Sequence, residues 1–183
     1  MIASLIAAAY LARASAVILV TPRPESMSAP TWDRIVEGAR SVAEDSLSRI
    51  GYRIADPKGL PSFDPKGNAR AQLKFALQES NAVIAIAIQV ADVQIRTVPD
   101  ISARTMKEAS LRRVVPERDD CRKNSAEVTL KVWLMEYGAE QPFIDGKAPT
   151  KCLSDWVEPE RLVGGAAGLA MEDVLRRFLR MRR

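Results

Sequence analysis

An α/β domain of the α+β kind, with a mixed sheet of about four to six strands, two or three packing helices and a long C-terminal helix, is the fold class the sequence predicts. Three observations carry that expectation. Apolar residues recur at helical spacing between Ser28 and Ile50, they alternate at strand spacing in Ala82–Val98 and Glu127–Glu136, and a long leucine-bearing helical pattern occupies the end of the chain.

In chain order, Val17 to Thr21 is a β-branched run stopped by Pro22 and Pro24, a strand entering a loop. From Ser28 to Ile50 a helix is predicted, with Ile35, Ala39, Val42, Ala43, Leu47 and Ile50 on one side and Gly51 as its stop. Tyr52–Ala55 reads as a brief strand. Asp56-Pro57-Lys58-Gly59 and its copy Asp64-Pro65-Lys66-Gly67 carry turn chemistry and lack the spacing of a phosphate-binding loop, so paired turns are expected. Asn68 is the expected cap of a second helix reaching Glu79, with Leu73, Ala76 and Leu77 inward.

The strand Ala82–Val98 has apolar residues on both faces as far as Val90, as a central strand does, and then alternates Asp92, Gln94 and Arg96 with Val93, Ile95 and Val98, so one face of its far end should reach water. A weak helical pattern covers 102–114. In Glu127–Glu136, Val128, Leu130, Val132 and Leu134 alternate with Thr129, Lys131 and Trp133, the pattern of a half-exposed antiparallel strand. Phe143–Ala148 is expected to pair back on it after a turn at Tyr137–Pro142, with Asp145-Gly146 near a bend. The last helix should start at Glu158-Pro159-Glu160, with Leu162, Leu169, Val174, Leu175, Phe178 and Leu179 as its stripe and Gly164–Gly168 as a small-residue patch that lies close on the sheet.

Composition narrows the functional classes. A chain of 183 residues with 47% hydrophobic and 27% charged residues suits one folded domain. Its net charge of +4 comes from 27 basic against 23 acidic residues spread along the chain, so a mixed solvated surface accounts for it as well as an acidic partner does. The sequence has no histidine, which excludes Ser-His-Asp and Cys-His catalysis and most zinc sites. No catalytic, cofactor or metal cluster is evident.

Ile2 to Leu11 is apolar and uncharged, and Ala14-Ser15-Ala16 has the small-x-small form of a signal-peptidase site, so residues 1–16 are expected to be an export signal and 17–183 one domain. The run is short of the ~20 apolar residues that span a bilayer. The alternative is a buried helix leading into the first strand. Cys121 and Cys152 are then an expected disulfide, closing a loop of about 32 residues worth roughly 3 to 4 kcal/mol, with two thiols in a cytosolic protein as the other reading.

The helix-to-strand step Leu47–Ile54, the strand Ala82–Val98 after a short helix, and the alternating strand Val128–Leu134 resemble, in order and spacing, small α/β domains of bacterial envelope proteins. These are the amino-terminal domain of the Tol-system propeller protein, the penicillin-binding-protein activator lipoproteins and the curli-secretion lipoprotein group. The chain departs from the lipoproteins in having no cysteine after its apolar start. The resemblance is one of architecture and implies an envelope setting without assigning residues.

The expected function is therefore a periplasmic or secreted, non-catalytic binding or scaffold domain whose partner is another envelope protein. Trp133, Tyr137 and Trp156 are candidate partner contacts, and Arg176, Arg177, Arg180, Arg182 and Arg183 a basic tip that either complements a helix dipole or touches an anionic surface, peripheral membrane included. Two alternatives stand beside it. One is a cytosolic nucleic-acid binder using Arg104, Lys107, Arg112, Arg113 and the terminal arginines, disfavoured by an aromatic content of 5%. The other is a hydrolase using carboxylates such as Asp92, Asp145 and Asp155.

Overall fold

The computed structural model describes residues 14–97, 123–139, 143–147, 151–155 and 157–181, with 143–147 and Met181 given by backbone alone. The elements are β1 (Ser15–Val20), α1 (Ala29–Arg49), β2 (Arg53–Ala55), α2 (Ala69–Ser80), β3 (Ile84–Arg96), β4 (Asn124–Glu136), β5 (Phe143–Lys147), β6 (Lys151–Asp155) and α3 (Pro159–Met181). The predicted helix at 102–114 lies outside the described residues.

The six strands form one mixed sheet in the order β2-β1-β3-β4, with β5 and β6 pairing end to end along the outer side of β4. β1, β2 and β3 are parallel; β4 is antiparallel to its neighbours. The chain moves from β1 to β2 on one side and then to β3 on the other, so right-handed crossovers put α1 and α2 on opposite faces. The predicted α/β class with a long C-terminal helix is the fold observed.

Even-numbered residues of β1, β3 and β4, such as Ile18, Ile86 and Val132, form one face under α1 and α3. Val17, Leu19, Ala85, Ala87 and Trp133 form the other, under α2 and Phe63. Trp133 is buried at 2% exposure in tilted contact with Phe63, ring centroids 4.8 Å apart and ring planes 47° apart, and Thr129 is buried as well. The expected half-exposed strand is thus covered on both faces along most of its length, because one face received a helix and the other Phe63.

Helix caps follow the local sequence. Ser28 and Asn68 side chains accept from Thr31 N–H and Ala71 N–H at the starts of α1 and α2. The two Asp-Pro-Lys-Gly copies form the same turn, with Asp56 Oδ1 accepting Lys58 N–H at 3.1 Å and Asp64 Oδ1 accepting Lys66 N–H at 2.9 Å.

Three further expectations are corrected. Asp145 and Gly146 lie inside β5, paired with Trp133 and Val132, and form no bend. Leu169 is exposed; the buried stripe of α3 is Leu162, Val163, Ala166, Ala167, Ala170, Met171, Leu175 and Phe178. The glycine patch meets chiefly a helix: Gly164 and Gly168 sit against the α1 backbone at Arg34 and Gly38, and Gly165 alone faces the sheet, at Leu153 of β6. A leader ending at Ala16 would also cut into the domain. Ser15 and Ala16 are the first residues of β1, and Ala16 is fully buried between Ile54 and Ile84.

Candidate functional site at the open end of the sheet

In an open α/β sheet, ligands are received at the carboxyl ends of the strands where the strand order reverses. Here that point lies between β1 and β3, and the two strands end very differently. β1 stops at Val20 and turns away through Thr21–Ser28 into α1, while β3 continues to Arg96. Thr21 N–H, donating to Ile88 O at 3.1 Å, is the final rung between them.

Beyond that rung β3 keeps only β4 as a neighbour. Its register shifts between Val90 and Asp92, where Ala91 is the extra residue of a bulge. Past the bulge Asp92, Gln94 and Arg96 stand opposite Thr129, Glu127 and Ser125. Strand alternation gives those residues the bonds to β4 and turns the N–H and C=O of Val93 and Ile95 to the side that β1 has vacated. Among the described residues no strand pairs with that edge.

A cleft of ≈ 460 Å³ runs beside it, lined on the α1 side by Pro24, Met27, Ser28 and Thr31 and on the β3 side by Val90, Val93 and Ile95. Ile95 is 41% exposed. The loop wall is fixed by Arg23 Nη1 donating to Met27 O at 2.6 Å and by Met27 N–H donating to Pro24 O at 3.0 Å.

The helix end in this cleft is poorly suited to a phosphate. Thr31 N–H is taken by Ser28 Oγ, Trp32 N–H by Ser28 O, and Pro30 has no N–H to offer. What the cleft presents, among the described residues, is an unpaired strand edge flanked by the apolar side chains of Met27, Val93 and Ile95 and the polar ones of Ser26, Ser28, Thr31 and Asp92.

No family model matches the chain, and no curated protein sequence does. In fold it is similar to a hypothetical protein of Chlamydia trachomatis, 12% identical over 93% of this chain and 95% of that one, with a TM-score of 0.49. A candidate lipoprotein of Caulobacter crescentus is 11% identical over 96% of each chain, TM-score 0.45. A lipoprotein of Neisseria meningitidis is 14% identical over 91% of this chain and 99% of its own, TM-score 0.41.

The residues singled out in the sequence are scattered. Trp133 is buried, so it is withdrawn as a partner contact; Tyr137, 71% exposed, stays available at the opposite end of β4 from the cleft. Trp156, Cys121, Arg104, Lys107, Arg112, Arg113, Arg182 and Arg183 lie outside the described residues, while Cys152 is exposed on β6. Asp92, Asp145 and Asp155 stand opposite Thr129, Trp133 and Asn124 of β4. Those positions are four and five residues apart, about 14 and 17 Å along the strand. Paired carboxylates work across roughly 5 to 9 Å, so the sheet does not assemble these three into an acid-base site.

Arg176, Arg177 and Arg180 are exposed on the last turns of α3. Arg176 pairs with Glu172 at 2.6 Å and Arg177 with Asp173 at 3.3 Å, which are one-turn pairs on a helix surface. The open edge of β3 is the feature that reading by residue type missed. Its signal is the change in parity of the apolar positions, even through Val90 and odd from Val93, which marks the bulge.

Proposed function

We propose that this chain is a binding or scaffold domain of the cell envelope that receives an extended segment of a partner protein on the open edge of β3. The single observation that supports it most is the edge itself: Val93 and Ile95 offer backbone donors and acceptors beside a cleft in which Met27, Val93 and Ile95 are mixed with Ser28, Thr31 and Asp92, and free backbone groups on a strand edge are what strand addition requires. Backbone hydrogen bonds would supply affinity, and side chains of the incoming strand would enter between Met27 and Ile95. In this reading the apolar run Ile2–Leu11 directs export, the mature chain keeps Ser15 and Ala16, and Cys121 and Cys152 pair as a disulfide.

A photo-crosslinking residue at Ile95, compared with one at exposed Lys74 on α2, tests the docking surface in cells separated into cytosol and envelope. A discrete adduct with an envelope protein from position 95 alone, reduced by Val93→Pro, is the expected result. Equal labelling from both positions, or a chain confined to the cytosol with two alkylatable thiols, would overturn it.

A further inference from the structure

The open stretch of β3 carries a pattern in its side chains that strand addition in general does not require. Set against a second copy of itself running the other way, Asp92-Val93-Gln94-Ile95-Arg96 is its own complement. With Gln94 at the centre, Asp92 meets Arg96, Val93 meets Ile95 and Gln94 meets Gln94. Opposite charges and apolar pairs directly across a strand interface are favourable, and like charges are not.

The backbone agrees with that register. Asp92, Gln94 and Arg96 bond to β4, while the N–H and C=O of Val93 and Ile95 face the side that β1 has vacated. In the self-paired arrangement Val93 N–H donates to Ile95 O of the second copy and Val93 O accepts from its N–H, and the two-fold axis repeats the exchange. Neighbouring registers do worse. A centre at Val93 sets Arg96 against Val90 across the bulge, and a centre at Ile95 carries Asp92 past the end of the strand, so either shift loses both charge pairs.

The side chains are placed to make these contacts. Successive residues of a strand point to opposite faces, so Asp92 and Arg96 share one face and Val93 and Ile95 the cleft face, beside Met27. The Arg96 side chain is 68% exposed and meets Glu127 of its own chain at 3.6 Å, and Asp92 accepts from Gln94 Nε2 at 3.2 Å. Pairing would set Arg96 between Glu127 and Asp92 of the second copy, within reach of both. What selects the partner is the position of each charge in the register, and not the net charge of the patch. There is also a gap to occupy: β1 stops at Val20, and β3 of the second copy would end at Arg96, opposite Asp92.

We infer that the strand received on this edge is Asp92–Arg96 of a second copy of the chain, in a two-fold pairing that joins two sheets antiparallel through β3. The inference rests on the strand-addition reading proposed above and names its partner. So short a pairing is small for a protein interface, and the dimer is accordingly weak and dependent on concentration.

Sedimentation equilibrium of the full chain over a concentration series tests it, with charge reversals reporting the register. Asp92→Arg puts like charges opposite Arg96 and Arg96→Asp puts like charges opposite Asp92, so each variant alone should associate about tenfold or more weakly than the unaltered chain. An equal mixture of the two should recover the association, because every charged pair of the mixed dimer is again opposite in sign. Recovery on mixing also shows that neither loss comes from unfolding. Undiminished association of the single variants, or no recovery on mixing, would overturn the pairing. A chain that stays monomeric while a photo-crosslinker at Ile95 captures a different envelope protein would overturn the second copy as partner and leave strand addition standing; a monomer with no adduct from that position would remove both.

Discussion

Gly38 and Gly164 touch backbone to backbone: a Cβ on Gly38 would collide with the Gly164 carbonyl oxygen and lie 2.9 Å from its Cα. Gly164 has the same relation to α1, where a Cβ would sit 3.0 Å from Arg34 O. Neither obstacle is the movable tip of a side chain. Gly38→Ala should therefore force the helices apart and cost about 3 kcal/mol, read as a lower urea midpoint with an unchanged slope. Gly59→Ala is the control. It has φ +85° with open space around it, so only backbone strain of about 1 kcal/mol applies.

Trp133 joins the sheet to the face covered by α2. It packs at a tilt against Phe63 while Lys131 Nζ sits 4.6 Å from the ring centroid. Trp133→Ala should cost roughly 3 to 5 kcal/mol in denaturant unfolding and remove most of the near-ultraviolet dichroism from this pair, with Trp133→Phe keeping a good part of the stability.

The edge assignment in β3 can be checked without a partner. Gln94 stands opposite Glu127 and its N–H belongs to the ladder, whereas the N–H of Val93 points to the vacated side. Gln94→Pro should cost about 3 kcal/mol and Val93→Pro about 1 kcal/mol. Equal losses in thermal unfolding would mean that the edge is not open.

Asp56 titrates below an ordinary aspartate, chiefly because its carboxylate accepts Lys58 N–H, with the Lys58 side chain adding to the effect. A folded-state value below the unfolded one gives turn stabilisation that is present above the unfolded pKa. It is lost as pH falls through the lower folded value. Carbon-13 detected titration of Asp56 should show the depressed midpoint, and Lys58→Pro, which removes the N–H, should return it toward the usual range.

How much of this was legible in the sequence depends on how far apart the interacting parts lie along the chain. α1, α2 and β3 follow from periodicity and caps such as Ser28 and Asn68, because a helix or strand writes its own spacing into its residues. The burial of Trp133 was hidden, since it depends on Phe63 arriving from a loop seventy positions earlier. β6 was missed because Lys151–Asp155 is short and carries no alternation; its place comes from pairing with Asn124–Val128. The open edge lies between these cases: the parity change after Val90 announces a bulge, yet only the early end of β1 leaves the edge bare. The exposure of Ile50 was hidden too: its spacing puts it on the core stripe of α1, yet it caps the helix and lies at the surface between the last turns of α1 and α3.

The parallel course of α1 and α3 sets a length as well as a contact. The 21 residues of α1 rise about 30 Å from Ser28 at the cleft to Ile50 at the opposite end of the domain. The open edge of β3 and the end that carries Arg53 and Tyr137 therefore lie at opposite poles, too far apart for two partners to compete for the same surface. A rigid pair of helices locked by glycine contacts makes that distance constant. The domain is in that sense a strut of set length, and whatever is seated on the β3 edge stands a constant distance from whatever meets the far end.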